Sequence, residues 1–160
     1  MSDDKNVVDF GARAALERSK RQGFLLNEID GAALKSIFDA AHVDCRLDSD
    51  GDCIVRDELT LFTSADPARD VFKLSAFFWT TGTREQAVEF CQRFNSNLIV
   101  VKAQLRDQPD ADGQWAILID HDRLVFEEER IEPRTIVKMV RRFQFIVRNG
   151  VTRFDQDKIF

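Results

Sequence analysis

Two aspartate-rich stretches carry the residue types that bind calcium in proteins. In the first, Asp48, Asp50 and Gly51 have the spacing of the third, fifth and sixth positions of an EF-hand loop. That alignment places a cation, Arg46, at the first ligand position, where an acid belongs. The second stretch, residues 110–113, has Gln108 at the first position of the pattern and Ile119 at the twelfth, neither of which is an acid. Neither stretch therefore supplies the full ligand set of a calcium loop.

The same two stretches fit a hairpin turn better. A type I turn favours Asp at its first position and Gly at its fourth. In a three-residue hairpin loop that Gly takes the left-handed conformation and forms a bulge. Asp48 and Gly51 fit this pattern, as do Asp110 and Gly113. The register of a loop at 49–51 keeps apolar residues opposite one another on one face: Cys45 with Val55, and Leu47 with Cys53. We therefore predict two turns.

The remaining reactive side chains show no catalytic or metal-binding spacing. His42 and His121 are the only histidines and lack the paired spacing of zinc ligands. The three cysteines, Cys45, Cys53 and Cys91, form no C-x-x-C motif, and the predicted register buries the first two as small hydrophobic residues. No serine lies in a G-x-S-x-G context, and no phosphate-binding glycine loop occurs. We therefore expect no catalytic activity, no metal and no cofactor.

The charge and composition favour a single protein-binding domain over a nucleic-acid-binding one. A chain of 160 residues is long enough for one well-buried domain, and its net charge of −5 argues against neutralising many phosphates. The sequence shows neither a signal-peptide apolar region nor an 18-residue apolar run, so we expect a cytoplasmic protein without a membrane partner. Near its end, Arg141, Arg142 and Arg148 form either a site for an acidic partner or a solvated helix face.

Hydrophobic periodicity predicts three helices. The first begins after Asp30, which is a suitable N-cap. The second begins with a capping box formed by Thr83 and Gln86. The third opens at Pro133, a favoured first-turn residue, and Gly150 is its predicted stop. Each helix carries apolar residues at the i, i+3, i+4, i+7 spacing of one buried face.

Period-2 alternation and apolar runs predict five strands between these helices, at residues 43–48, 52–62, 71–80, 98–106 and 114–120. The strand at 71–80 is apolar on both sides, which is typical of a central strand with a layer packed on each face. The order α-β-β-β-α-β-β-α indicates an α+β fold, with a mainly antiparallel five-stranded sheet and helices on its faces.

The chain divides into three predicted parts. Residues 30–150 form a single α+β domain, and residues 151–160 form a C-terminal tail. Residues 1–29 contain helix formers and a basic cluster of Arg13, Arg18, Lys20 and Arg21. This N-terminal part is either an extra amphipathic helix or an arm that becomes ordered on a partner.

Three stretches carry a resemblance to a known family: DSDGDCIVR (48–56), FFWTTGTREQAVEFCQRFNSNLIVVKAQL (77–105) and GQWAILIDHDRL (113–124). Together they resemble the YbjN family of proposed bacterial sensory-transduction regulators, over roughly residues 28–150. Within FNSNLIVVKA, Asn95 and Asn97 match the asparagines of that family at a helix-to-strand corner. The family is similar in fold to type III secretion chaperones. The resemblance therefore implies a small, often dimeric protein that binds other polypeptides without catalysis.

The favoured hypothesis is a chaperone-like regulatory module that binds a protein partner and forms a homodimer. Its motivation is the surplus of aromatic residues, with 14 Phe, two Trp and no Tyr. An apolar patch exposed in the monomer would mark the contact surface. The candidate residues are Phe77 and Trp79 on the predicted central strand, with Phe90 and Phe94 on the middle helix. The alternative is a small-ligand or metal sensor that uses the acidic loops or a pocket between sheet and helices.

Overall fold

The computed structural model describes residues 23–160, so most of the predicted N-terminal arm lies outside the described residues. The helices are a short 3-10 helix at Leu26–Glu28, then α1 (Gly31–Ala40), α2 (Arg84–Asn97) and α3 (Pro133–Phe154). The strands are β1 (Cys45–Leu47), β2 (Cys53–Arg56), β3 (Thr60–Asp66), β4 (Val71–Thr80), β5 (Lys102–Leu105) and β6 (Trp115–Leu124). They form one antiparallel sheet in the order β1-β2-β3-β4-β6-β5. The predicted α+β class and antiparallel sheet are confirmed.

The sheet has six strands rather than the predicted five, because the predicted strand at 52–62 folds back on itself. Its two halves, β2 and β3, pair with each other, and Arg56 lies opposite Thr60 across a three-residue loop. That loop contains neither Gly nor Pro, the residues that most often mark a turn, so the sequence shows no break there. The predicted strand at 98–106 is also shorter in the structure, since residues 98–101 connect α2 to β5.

Both aspartate-rich stretches are hairpin turns. Cys45 pairs with Val55, the register expected for a three-residue loop. The Asp48 Oδ1 atom accepts hydrogen bonds from the backbone N–H groups of residues 50 and 52, at 3.0 and 2.9 Å. Gly51 has φ +87°, and Gly113 in the second turn has φ +79°. There Asp110 Oδ1 likewise accepts from the backbone N–H groups of residues 112 and 114, at 3.0 and 2.8 Å. The aspartates therefore stabilise turn backbone.

The three predicted helix starts match the structure, but the predicted end of α3 is wrong. The Asp30 side chain accepts a hydrogen bond from Ala33 N–H, and Thr83 and Gln86 form the expected capping box. Helix α3 continues through Gly150 to Phe154. A Cβ atom at residue 150 would lie 2.6 Å from the Phe94 ring, so this glycine allows α2 and α3 to approach closely.

All three helices contribute to one core on one face of the sheet. In β4, Phe72, Leu74 and Ala76 point into this core and are buried. The alternate residues Phe77 and Trp79 are 43% and 49% exposed. The predicted central position of β4 is right, since it pairs with both β3 and β6. Within residues 23–160 the helices pack on the core side of the sheet, and the other side of β4 carries these two partly exposed aromatic side chains.

The packed domain extends beyond the predicted limits of residues 30 and 150. Phe24 is buried and exchanges two backbone hydrogen bonds with Ile131, at 2.9 and 2.8 Å. At the other end, Ile159 is buried and its carbonyl accepts a hydrogen bond from Thr81 N–H at 2.8 Å. The ring of Phe160 packs edge-to-face on the core aromatic Phe90. Residues 151–160 therefore form part of the domain rather than a free tail.

Both edges of the sheet are protected in ways that limit further strand pairing. At the β5 edge, the Asn95 side chain accepts a hydrogen bond from Ala103 N–H at 2.7 Å and donates one to the Ala103 carbonyl at 2.9 Å. Asn97 bonds only within α2, to the Arg93 carbonyl. The opposite edge strand, β1, has only three residues. Short or covered edge strands disfavour association through the backbone.

Candidate protein-binding face of the sheet

The face of the sheet that the described residues leave uncovered, here called the open face, follows from the strand register. Residues directly opposite each other in an antiparallel pair project to the same face. Phe77 is opposite Leu118, and Trp79 is opposite Ala116. Towards the β1 edge, Ser75 is opposite Phe62, which is in turn opposite Ile54. The exposed or partly exposed positions form an apolar patch on the open face, namely Phe62, Phe77, Trp79 and Leu118, while Ile54 and Ala116 on the same face are buried.

Two aromatic side chains dominate this patch. Phe77 and Trp79 are close to half exposed, whereas most large apolar side chains of the chain are in the core. Phe62 packs edge-to-face on Phe77, with the ring centroids 5.6 Å apart and the rings at 83°. The patch is therefore contiguous rather than a set of scattered apolar residues. Contiguous exposed apolar surface of this kind commonly marks a binding site.

A polar cluster lies beside the apolar patch on the same face. The Ser75 hydroxyl donates a hydrogen bond of 2.6 Å to Asp120 Oδ1, and Lys73 Nζ lies 3.9 Å from the same oxygen. Burial raises the pKa of Asp120, while the Ser75 hydrogen bond and the Lys73 charge oppose that shift. Asp122, which also raises the pKa of Asp120, lies opposite Lys73 in the ladder. The cluster thus gives the patch a charged border.

Phe90 and Phe94, the other two candidates for partner contact, do not belong to this surface. Both side chains are fully buried on α2. Phe90 packs on Phe160, and Phe94 packs edge-to-face on Phe154. Their helical spacing places both on the buried side of α2. The prediction that they contact a partner is therefore wrong, and both are core residues. Phe62 and Leu118 take their place, and only the strand register, which the sequence left partly undetermined, identifies them.

The cysteines and the acidic loops offer no reactive centre among the described residues. Cys45, Cys53 and Cys91 are free and buried, and burial raises the pKa of Cys53 to about 12 and that of Cys91 to about 11. Thiols so protonated are poor nucleophiles. Within residues 23–160, no three His, Cys, Asp or Glu side chains come together as a metal site would require. In the same range, no helix has the length and apolarity needed to cross a bilayer.

The architecture has a counterpart among solved structures. The crystal structure of YbjN from E. coli, a candidate transcription regulator, is similar to this chain with a TM-score of 0.64. The chain has a YbjN-like fold. The similarity covers 80% of this chain and 93% of that one, at 11% sequence identity. No family model matches the sequence, and no curated protein does. The resemblance seen in the sequence is therefore confirmed as a YbjN-like fold.

Proposed function

We propose that the protein is a non-catalytic, regulatory protein-interaction module whose open face binds a second copy of the chain. The observation that carries this proposal is the pair of half-exposed aromatic side chains, Phe77 and Trp79, on a face with no cover from the described residues. Aromatic residues in exposed patches contribute the largest share of binding energy at many interfaces.

The protected edges of the sheet support association through the face rather than through backbone pairing. Asn95 occupies both outward hydrogen-bonding groups of Ala103 on β5, and β1 is too short to present a long edge. A partner therefore gains most of its binding free energy by burying the apolar patch rather than by pairing with an edge strand. Two sheets that pack face to face lie about 10 Å apart, with their side chains interdigitated.

The border of the patch suits a two-fold symmetric dimer. Lys73 and Lys102 carry positive charge, and Asp122 carries negative charge, on the same face as the patch. In a two-fold dimer the same surface meets itself, so a border with both signs can pair each charge with its opposite. A border of one sign would repel its own copy.

The described role of the similar structure supports the regulatory part of the proposal. E. coli YbjN is a candidate transcription regulator, which is consistent with a module that acts by binding rather than by catalysis. We further propose that the open face can hold an extended segment of a partner protein, as a chaperone does, in competition with the second copy. We place this activity in the cytoplasm, since free thiols such as these persist in a reducing compartment.

The test is the oligomeric state of the full chain, measured by sedimentation velocity across a concentration series. The wild type should form a dimer, and Trp79→Asp should weaken the dimer by about 2 kcal/mol or more, roughly a thirtyfold rise in Kd. The reason is that dimerisation would bury the carboxylate of Asp at position 79 without a partner of opposite charge. The intrinsic fluorescence of Trp79 should also shift to shorter wavelength on dimerisation and thus report the same equilibrium.

Phe126→Asp is the matched control, because Phe126 is 79% exposed but lies outside the open face. It should leave the dimer unchanged, while Phe77→Asp should weaken it as Trp79→Asp does. A monomeric wild type at high concentration would refute self-association. A dimer that survives both open-face substitutions would show that the interface lies elsewhere on the protein.

A further inference from the structure

The charge of the protein is distributed very unevenly along the chain. Helix α3 carries six of the 23 basic residues, whereas all 28 acidic residues lie outside it. Its buried side contacts the core through apolar residues including Ile136, Val140 and Val147. Within residues 23–160, this acidic protein thus presents a strongly cationic helix surface.

Four of the six exposed cations of α3 form a single line along the helix, here called the cationic stripe. The stripe consists of residues spaced by three or four positions, which share one side of a helix: Arg134, Lys138, Arg141, Phe145 and Arg148. It is about 21 Å long at 1.5 Å per residue. Phe145 lies near its centre and is 61% exposed. Of these cations, Arg134 and Arg148 have carboxylate partners, Glu132 and Glu58, among the described residues.

Lys138 and Arg141, in the middle of the stripe, have no carboxylate within 4.0 Å among residues 23–160. The same holds for Arg142, which lies beside the stripe. Three neighbouring cations on one helix repel one another, and an anionic partner would relieve that repulsion. The centre of the stripe is therefore the part that most favours binding of an anionic group.

An apolar cavity of about 140 Å³ opens beside the stripe, and Arg142 forms part of its wall. The remaining lining comes from the α2–β5 connection, β6 and α3: Val100, Val101, His121, Met139, Phe143 and Ile146. The His121 Nδ1 atom lies 2.7 Å from the Val100 carbonyl oxygen, which ties the connection to the sheet. An apolar cavity of roughly 150 Å³ can hold benzene, so this one has room for a single apolar side chain.

We propose that the stripe and the cavity form one docking site for an acidic polypeptide segment with a single apolar anchor residue. Acidic side chains of the segment pair with Lys138, Arg141 and Arg142, and the anchor enters the cavity. In extended form, about seven residues span the 21 Å of the stripe. The site lies on the helix side of the sheet, opposite the open face, so it is separate from the proposed dimer interface.

The surroundings of the stripe favour a short acidic segment over a longer polyanion or a bilayer. Glu132 pairs with Arg134 at one end of the stripe and Glu58 pairs with Arg148 at the other, so carboxylates lie at both ends of the stripe. A DNA duplex would extend past these ends and meet the acidic remainder of the protein. A bilayer would need a wide apolar face, whereas Phe145 is the lone large apolar side chain in the stripe and the apolar side of α3 is buried in the core.

The test is fluorescence anisotropy of a labelled acidic peptide, DEDELEDED, titrated with the full chain at 50 mM salt. Binding should be saturable, and raising the salt to 300 mM should weaken it. The double variant Lys138→Glu with Arg141→Glu should bind at least tenfold more weakly. Replacing the single Leu of the peptide by Ser should weaken binding to the wild type to a similar extent, and this arm leaves the protein fold untouched.

The control is the double variant Arg69→Glu with Arg106→Glu, which changes the net charge equally at exposed positions outside α3. It should bind the peptide within twofold of the wild type, and circular dichroism should show both double variants folded. Equal losses in the two double variants would refute a localised site, and indifference to the Leu would refute the anchor. Stripe-dependent binding of phosphatidylglycerol vesicles or a 20-base-pair duplex, without peptide binding, would show that the occupant is wrong.

Discussion

The hydrogen bonds between Asn95 and the edge of β5 lead to a quantitative prediction about stability. Asn95→Ala removes both bonds to Ala103, one of 2.7 Å and one of 2.9 Å. A hydrogen bond contributes about 0.5–1.5 kcal/mol net, so the two together contribute about 1–3 kcal/mol. Asn95 is exposed, so water can replace the lost partner groups, which moves the expected cost towards the lower end.

The better helix propensity of alanine offsets part of this loss. Alanine in place of asparagine favours a helix by about 0.5 kcal/mol. The net destabilisation expected for Asn95→Ala is therefore about 1 kcal/mol. Asn97→Ala is the matched control on the same helix, because Asn97 bonds only to the Arg93 carbonyl one turn away. There the local bond and the propensity nearly cancel, so the change should stay within about 0.5 kcal/mol.

Asn95→Asp gives a sharper test of the same geometry. The introduced carboxylate still accepts from Ala103 N–H, but its second oxygen faces the Ala103 carbonyl where the amide group donated at 2.9 Å. That repulsion raises the pKa of the introduced carboxyl in the folded state above its unfolded value. The loss of stability is then fully present above the raised pKa and disappears as the pH falls below about 4, where the protonated group can donate again.

The assay is urea unfolding followed by circular dichroism, with all variants at one protein concentration. Asn95→Ala should lower the midpoint without changing the slope m, and Asn95→Asp should lower it further at pH 7 but less at pH 4. Hydrogen exchange of the Ala103 amide should be slowed in the wild type and faster in Asn95→Ala, which removes its acceptor. Equal midpoints for Asn95→Ala and Asn97→Ala would refute the reasoning, as would a pH-independent deficit in Asn95→Asp.

Two further substitutions test the core and the open face. Gly150→Ala should destabilise the protein by about 1–3 kcal/mol in urea unfolding despite the better helix propensity of alanine, because the new Cβ would lie 2.6 Å from the Phe94 ring. Thr152→Ala, at an exposed position of the same helix, is the control. Equal unfolding midpoints for the two variants would contradict the close approach of α2 and α3. Asp120→Asn should raise the stability of the folded protein at pH 7. Burial raises the pKa of Asp120, so the wild type loses stability as the pH rises from about 4 through that raised pKa. Asparagine carries no charge and avoids this loss. The gain should vanish near pH 4, and a gain that persists there would contradict this account.

Local signals in the sequence predicted the helix starts and both aspartate turns. Asp30, Thr83 and Gln86 act within four residues of the groups that they bond, so neighbours in sequence are neighbours in space. Gly51 and Gly113 take left-handed backbone conformations that their turns require. Such features depend on local geometry and are visible without a fold.

The errors arose where distant contacts decide the outcome. Gly150 lies inside α3 because Phe94 and Leu98, more than fifty residues earlier, pack against it. Phe90 and Phe77 are both aromatic residues in periodic patterns, yet Phe90 is in the core and Phe77 is exposed. The pattern shows that each side chain has a preferred side, but the packing of other elements determines which sides are covered.

The sequence by itself determined the α+β class, the antiparallel sheet, the central position of β4 and the resemblance to a YbjN-like fold. The first three follow from hydrophobic periodicity and turn chemistry, which act over a few residues, whereas the resemblance rests on the stretches of sequence that match that family. Only the tertiary structure decided that all three helices cover one face, that Asn95 closes the β5 edge, and that the α3 cations lie beside an apolar cavity. Each of these unites segments far apart in the chain, and their meeting depends on how the whole core packs.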